Sequence, residues 1–165
     1  MAIKRMNHAV LYVRDAQRTF AFYRDVLGFR AVAEIPQAGA VFLQAPDSTN
    51  DHDLALFTIG EGAGDSTAGR ATVGLYHIAW EVQTLGDLQE IALKLADAGA
   101  LVGATDHATT KALYAKDPDG LEFEVCWILP ERFLTDDIEA AKTRMRPLDL
   151  ESDIARYGLD TVSGR

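Results

Sequence analysis

The sequence predicts an α+β fold: two βαβββ modules in tandem, followed by a helical tail. Three observations predict it. Asn7-His8-Ala9-Val10-Leu11-Tyr12-Val13 and Tyr76-His77-Ile78-Ala79-Trp80-Glu81-Val82 read as similar short strands, each opening on a histidine. Each is followed by a segment of helical period that stops at a glycine, first Gly28 and then Gly99. Each half then continues in short apolar runs with a Pro-Asp turn, Pro46-Asp47 and Pro118-Asp119. A duplicated unit with a histidine at the same point in both copies suggests two ligands converging on one site.

The first strand spans Met6 to Val13, with His8, Val10 and Tyr12 on one face and Ala9, Leu11 and Val13 on the other. Asp15 fits an N-cap, and Phe20, Tyr23 and Leu27 recur at helical spacing up to Gly28. Phe29 to Ile35, closed by Pro36, is the next strand. Ala40 to Gln44 and Asp53 to Ile59 complete the first module. Glu61 to Gly69, rich in glycine and small residues, reads as the linker. Leu75 to Val82 opens the second module, and Thr84 with Asp87 resembles a capping box. Leu88, Ile91, Ala92, Leu95 and Ala96 form an apolar helical stripe ending at Gly99. Ala100 to Ala104, Ala112 to Ala115 and Leu121 to Ile128 are the remaining strands. The reading is one domain over 1–130, with modules at 3–60 and 72–130, and a C-terminal helical extension over 131–165. In that tail Ile138, Ala141 and Met145 suggest a helix stopping before Pro147, and Leu150, Ile154 and Tyr157 a shorter one. We expect the tail to pack on the sheet as an amphipathic appendage; a dimer contact or a lid would be other uses for it.

Composition narrows the function. The chain of 165 residues is 48% hydrophobic and 25% charged, ordinary for a globular protein. Its net charge of -9 argues against nucleic acid or an anionic membrane as partner, because both need a basic footprint. A lone cysteine, Cys126, allows no intrachain disulfide and fits a buried, inert thiol. The first residues carry Lys4 and Arg5 but no long apolar stretch, so no signal peptide is expected. No apolar run approaches the ~20 residues of a membrane helix. The expected setting is cytoplasmic.

The chemistry begins at Leu121-Glu122-Phe123-Glu124-Val125-Cys126-Trp127. Alternation puts Leu121, Phe123, Val125 and Trp127 on an apolar face suited to lie under a helix, and Glu122, Glu124 and Cys126 on the other. A bare carboxylate inside a curved sheet costs several kcal/mol, on the order of an unpaired buried charge, and a metal ion removes that cost. A simply wet face would account for Glu124 alone. With His8 and His77, however, the set becomes two histidines and one carboxylate from three strands. That is the facial arrangement of non-haem Fe(II) sites, which leaves coordination positions open. Trp80 and Trp127 fall on the faces opposite His77 and Glu124 and read as core.

The paired modules, His8, His77, Glu124 and the segment Leu113-Tyr114-Ala115-Lys116-Asp117-Pro118-Asp119-Gly120-Leu121-Glu122-Phe123-Glu124-Val125 resemble the vicinal oxygen chelate superfamily over roughly residues 3 to 130. Glyoxalase I, fosfomycin-modifying enzymes, type I extradiol dioxygenases and bleomycin-binding proteins belong to it. The resemblance implies a curved, barrel-like mixed sheet around a metal held by His8, His77 and Glu124. Three features are similar to the extradiol branch. His52, in Asn50-Asp51-His52-Asp53-Leu54-Ala55-Leu56-Phe57, matches that branch's acid-base histidine, which lies beside the metal without ligating it. Tyr114 precedes Glu124 by ten residues, as does the branch's catecholate-contacting tyrosine. Leu56 takes the place equivalent to Glu124 in the first module and supplies no fourth ligand. His52 could also be a turn residue, and Tyr114 a strand aromatic with a satisfied hydroxyl.

What this implies is an extradiol ring-cleavage dioxygenase, a catechol 2,3-type enzyme, acting on a small aromatic diol and dioxygen. Fe(II) is the expected metal, with Mn(II) or another divalent ion as the alternative. A histidine's reference pKa near ~6.5 suits His52 to accept and return a proton. His107, in the loop before Tyr114, falls where the family places polar substrate contacts; a solvated loop histidine is the other reading. Familiar extradiol enzymes often carry four modules, against two here. The alternatives are a non-redox metal enzyme of the superfamily (a glyoxalase-like lyase, isomerase or thiol transferase) and a metal-free drug-binding protein. Loops such as Pro36 to Gly39 and Gly60 to Arg70 would set substrate choice, and a homodimer is expected.

Overall fold

The computed structural model describes residues 2–69 and 71–164, so Met1, Arg165 and Arg70, which closes the second candidate substrate loop, lie outside the described residues. Two compact units divide the chain. One comprises Met1–Ser66 with Asp117–Gly120, and the other Thr67–Lys116 with Leu121–Arg165. Strand pairing stays within each module: four strands form one sheet and five the other, and no closed barrel is present among the described residues.

The first unit runs β1 (Ala9–Val13), α1 (Ala16–Leu27), β2 (Arg30–Ile35), β3 (Ala40–Gln44) and β4 (Leu54–Thr58). Sheet order is β1-β4-β3-β2, with β1 and β4 parallel and the other pairs antiparallel. β1 begins at Ala9, three residues later than the alternation suggests, because its first rung is the Ala9 N–H donating to Asp53 O. His8 therefore stands at the strand entrance. Leu11 and Val13 are buried while Val10 and Tyr12 are exposed, so the His8 face is the open face of this sheet. The Asp15 carboxylate caps α1 by accepting from the N–H groups of Gln17 and Arg18, and Gly28 ends it at φ 76°, a conformation glycine adopts without a Cβ clash. The buried side of α1 is Ala16, Thr19, Tyr23 and Val26, so only Tyr23 of the expected stripe is fully covered.

The second unit repeats the order as β5 (Ile78–Glu81), α2 (Leu85–Asp97), β6 (Leu101–Asp106), β7 (Thr110–Lys116) and β8 (Glu122–Ile128). Thr84 and Asp87 form the expected capping box. Leu85, Leu88 and Leu95 of α2 are buried, as are Phe123, Val125 and Trp127 of β8, and α2 packs on β8.

The tail differs from expectation in one element. α3 (Asp136–Ala141) stops before Met145, which is exposed, and Arg146–Pro147 forms a two-residue strand, β9, on the outer edge of β6. An edge position suits Pro147, which has no N–H to offer an inner ladder. α4 (Leu150–Tyr157) forms where expected. The Trp127 indole N–H donates to Thr161 O at 2.9 Å, and Tyr157 stacks at 5.9 Å from Trp127. The tail is thus packed on the second unit's sheet. Among the described residues no helix is long and apolar enough to cross a membrane.

Candidate functional site

In the first unit the structure brings His8 and His52 together. The parallel register Ala9↔Leu54, with Ala9 N–H bonded to Asp53 O, places the residues just before each strand side by side. Their rings lie 4.3 Å apart between centroids at 36°. Phe42 meets the His52 ring edge-on at 5.2 Å. His8 Nδ1 is 2.6 Å from Asn7 Oδ1; a donating Nδ1–H there leaves Nε2 with a free lone pair, the tautomer a metal ligand requires. His52 Nδ1 faces Asp51 Oδ2 at 3.2 Å, and the His52 side chain is only 15% exposed.

In the second unit His77, Glu124, Tyr114 and His107 form one cluster. His77 Nε2 lies 3.1 Å from Glu124 Oε2, with side-chain exposures of 25% and 12%. Tyr114 stands directly across from Glu124 in the β7–β8 ladder, which is what the ten-residue spacing encodes. Its ring centroid is 5.9 Å from that of His77, and its hydroxyl is 3.0 Å from His107 Nε2. Burial, and then the charge of Glu124, hold the Tyr114 phenol above its ordinary pKa, so it stays a proton donor. Burial likewise pushes the Cys126 thiol up to about 12, with Glu124 and Glu81 adding to the effect, in keeping with an unreactive cysteine.

The His77–Glu124 pair is not self-sufficient. His77 Nδ1 is buried with no hydrogen-bond partner among the described residues. Whichever ring nitrogen carries the proton, one polar atom is left unsatisfied, a cost of about 1–3 kcal/mol. The 3.1 Å separation suits more than an ion pair. Two ligands at ~2.1–2.2 Å from one ion and at right angles lie ~3 Å apart. These donors therefore fit adjacent positions on a divalent metal. Among the described residues no three His, Cys, Asp or Glu side chains are placed so as to hold a metal ion together. The first unit presents His8 with His52, and the second presents His77 with Glu124.

One equivalence shifts. Ala9 pairs with Leu54 and Ile78 with Phe123, so Glu124, the partner of Ala79, matches Ala55, the partner of Val10. Leu56 instead matches Val125 on the core face and is wholly buried. An alanine offers no ligand either, so the first module still supplies none from β4.

Two groups went unread in the sequence. Asp53 is buried and accepts three hydrogen bonds in the loop before β4. Lys111 is 3% exposed and bonds Asp106, whose carboxylate also receives the N–H of Ala108 in the His107 loop. The clue to the first was the polar run Ser48-Thr49-Asn50-Asp51, which needs an organiser to form a compact loop. The second Pro-Asp turn is also more than a turn. Its Asp119 accepts from Arg14, Arg18 and Thr19 in the first unit.

Two βαβββ sheets, each entered at a histidine, one of which meets a strand glutamate, define a protein of the vicinal oxygen chelate type. The model of the Glyoxalase/Bleomycin resistance protein/Dioxygenase superfamily matches residues 5–125, and the chain belongs to that superfamily. It is 38% identical over 118 residues to biphenyl-2,3-diol 1,2-dioxygenase 3 of Rhodococcus globerulus, covering 70% of this chain and 59% of the relative. It is 28% identical over 121 residues to catechol-2,3-dioxygenase of Bacillus subtilis (strain 168), covering 73% and 40%. The chain thus spans about three fifths or less of the length of these relatives. Among solved structures, a glyoxylase/bleomycin resistance protein/dioxygenase domain from Frankia sp. EAN1pec superposes with a TM-score of 0.63 at 20% identity, over 76% of this chain and 92% of that one. The fosfomycin resistance protein FosX of Listeria monocytogenes gives 0.57 at 17% identity, over 76% and 93%. Both share the fold.

Proposed function

We propose that this chain is a type I extradiol ring-cleavage dioxygenase acting on a small catechol-type aromatic diol and dioxygen. The observation that carries this reading is that the proposed ligands of each unit have a proton-handling side chain against them. His52 stacks on His8, and Tyr114 faces Glu124 across the ladder. The named dioxygenase relatives support the same reading.

His8, His77 and Glu124 would hold the metal, Fe(II) or alternatively Mn(II). When bound, that ion supplies Lewis acidity toward the diol oxygens and a redox centre for dioxygen. Both oxygen atoms of dioxygen enter the product as the ring bond beside the diol breaks, so no external reductant is required. His52 accepts a proton from the incoming diol and returns one later in the cycle, its ring held by His8 and Phe42. The Tyr114 phenol, kept protonated by burial, donates a hydrogen bond to the ionised diol oxygen. His107 binds the Tyr114 hydroxyl and so aims it, beside the substrate contact expected of it.

The test is oxygen uptake. Apo protein is loaded anaerobically with Fe(II), then given oxygen and a panel of catechols. Uptake matched to a yellow ring-opened product, lost in His8→Ala and in His52→Ala, is the expected result. Protein that holds the metal but takes up no oxygen with any catechol would redirect the reading to a non-redox enzyme of the superfamily.

A further inference from the structure

We propose that Asp53 is the positioning residue for His52. This rests on the reading of His52 as the acid-base group, and it adds how the chain holds that ring in place. Three anchors converge on Asp53. Its N–H donates to Leu43 O at 2.8 Å, and its carbonyl accepts from Ala9 N–H at 3.0 Å. Its carboxylate gathers the preceding loop: Oδ2 accepts from the Ala45 N–H at 2.9 Å, and Oδ1 accepts from Ser48 Oγ–H and Asn50 Nδ2–H, each at 2.7 Å. The side chain of Gln44 adds a tie by donating to Asn50 O at 2.5 Å.

The backbone anchors place residue 53 between β3 and β1. His52 shares a peptide bond with it, and His8 shares one with Ala9, so the two histidines meet because Ala9 and Asp53 are bonded. The carboxylate determines how the chain arrives at that point. Without it, the donors of Ala45, Ser48 and Asn50 lose their common acceptor, and the segment that carries Asp51 and His52 into β4 keeps only the Gln44 tie and its backbone bonds. A buried carboxylate held only by neutral donors is a costly way to build a loop, since burial penalises the charge. An asparagine of the same shape would turn an N–H donor toward either the Ala45 N–H or the Ser48 and Asn50 donors. Only an acceptor at both oxygens satisfies all three.

The test uses Asp53→Asn with two readouts. The first is NMR of the metal-free protein, in which the His8 and His52 rings are close enough for an inter-ring NOE. We expect that NOE in the parent protein and its loss in Asp53→Asn, while the resonances of His77 and Tyr114 stay in place. An NOE that survives the substitution, or is absent from the parent, overturns the proposal, and it does so whether or not the chain cleaves catechols. The second is steady-state kinetics of the Fe(II)-loaded enzyme. A displaced general base lowers kcat by about 10²-fold with little change in KM. In a His52→Ala background the same substitution should lower kcat no further, because the two residues act as one unit. A second, equal loss of kcat in that background would mark Asp53 as a general structural support and overturn the proposal. Should Asp53→Asn fail to fold, Ser48→Ala removes one donor and leaves Asp53 intact. A weakened His8–His52 NOE is then expected, and an unchanged one refutes the idea.

Discussion

Lys111→Met offers a sharp check on how the second unit holds its candidate site. The Lys111 ammonium lies 2.6 Å from Asp106 and 3.3 Å from Asp153, with side-chain exposures of 4%, 26% and 14%. Methionine keeps the aliphatic stem and deletes the charge, leaving two carboxylates facing one another. Breaking a buried pair from one side costs about 3–5 kcal/mol; partial access of both carboxylates to water brings this to about 2–3 kcal/mol. For a chain of this size that is a fall in Tm of roughly 5–10 °C. Burial already raises the Asp153 pKa, and Lys111 is the first group pulling it back. The folded state therefore favours neutral Asp153, a contribution present below the ordinary carboxylate range and lost as pH rises through the raised value. Removing Lys111 raises that value further, so the loss on going to neutral pH deepens. Urea unfolding followed by tryptophan fluorescence should give the full ΔΔG at pH ~7 and less than half of it at pH ~4. Equal ΔΔG at the two pH values would refute charge as the origin. Because Asp106 also receives the Ala108 N–H, the same variant should loosen the His107 loop and with it the Tyr114 hydroxyl.

The remaining predictions concern other links of the same chain. Ala108 sits at φ 64°, a left-handed conformation that costs an L-residue about 1–2 kcal/mol. Ala108→Gly should therefore stabilise the protein by about 1 kcal/mol, and a lower Tm would contradict this. Trp127→Phe removes the indole donor to Thr161 O and leaves space in a fully buried position. A loss of about 1.5–3 kcal/mol in chemical unfolding is expected, and a loss below ~0.5 kcal/mol would show that the tail is not fastened there. Glu124→Gln replaces a charged side chain of the proposed metal set by a neutral one, so Mn(II) affinity, read from the EPR signal of the free ion, should fall at least ~10-fold. Unchanged affinity would remove Glu124 from the proposed metal set.

Much of this was legible in the sequence where one element alone decides the geometry. The pairing of Tyr114 with Glu124 could be read because both lie five residues from Asp119, the centre of a hairpin turn, so the spacing itself is the register. The caps at Asp15 and Thr84 were equally local. What stayed hidden depends on which strands become neighbours. His52 meets His8 only through the parallel β1–β4 pair, whose members are far apart in sequence. The slip from Leu56 to Ala55 has the same source. In Leu54-Ala55-Leu56 every residue is apolar and wholly buried, so alternation gives no sign of which face each takes. The pairing of β4 with β1 and β3 decides it, beginning at the rung between Ala9 and Asp53. That rung also brings His52 beside His8, so the β1–β4 register of the first module and the contact between its two histidines share one backbone bond. Core packing that holds Leu54 and Leu56 inward thus also holds His52 in place, and substitutions deep in that core should disturb the histidine pair before they unfold the chain.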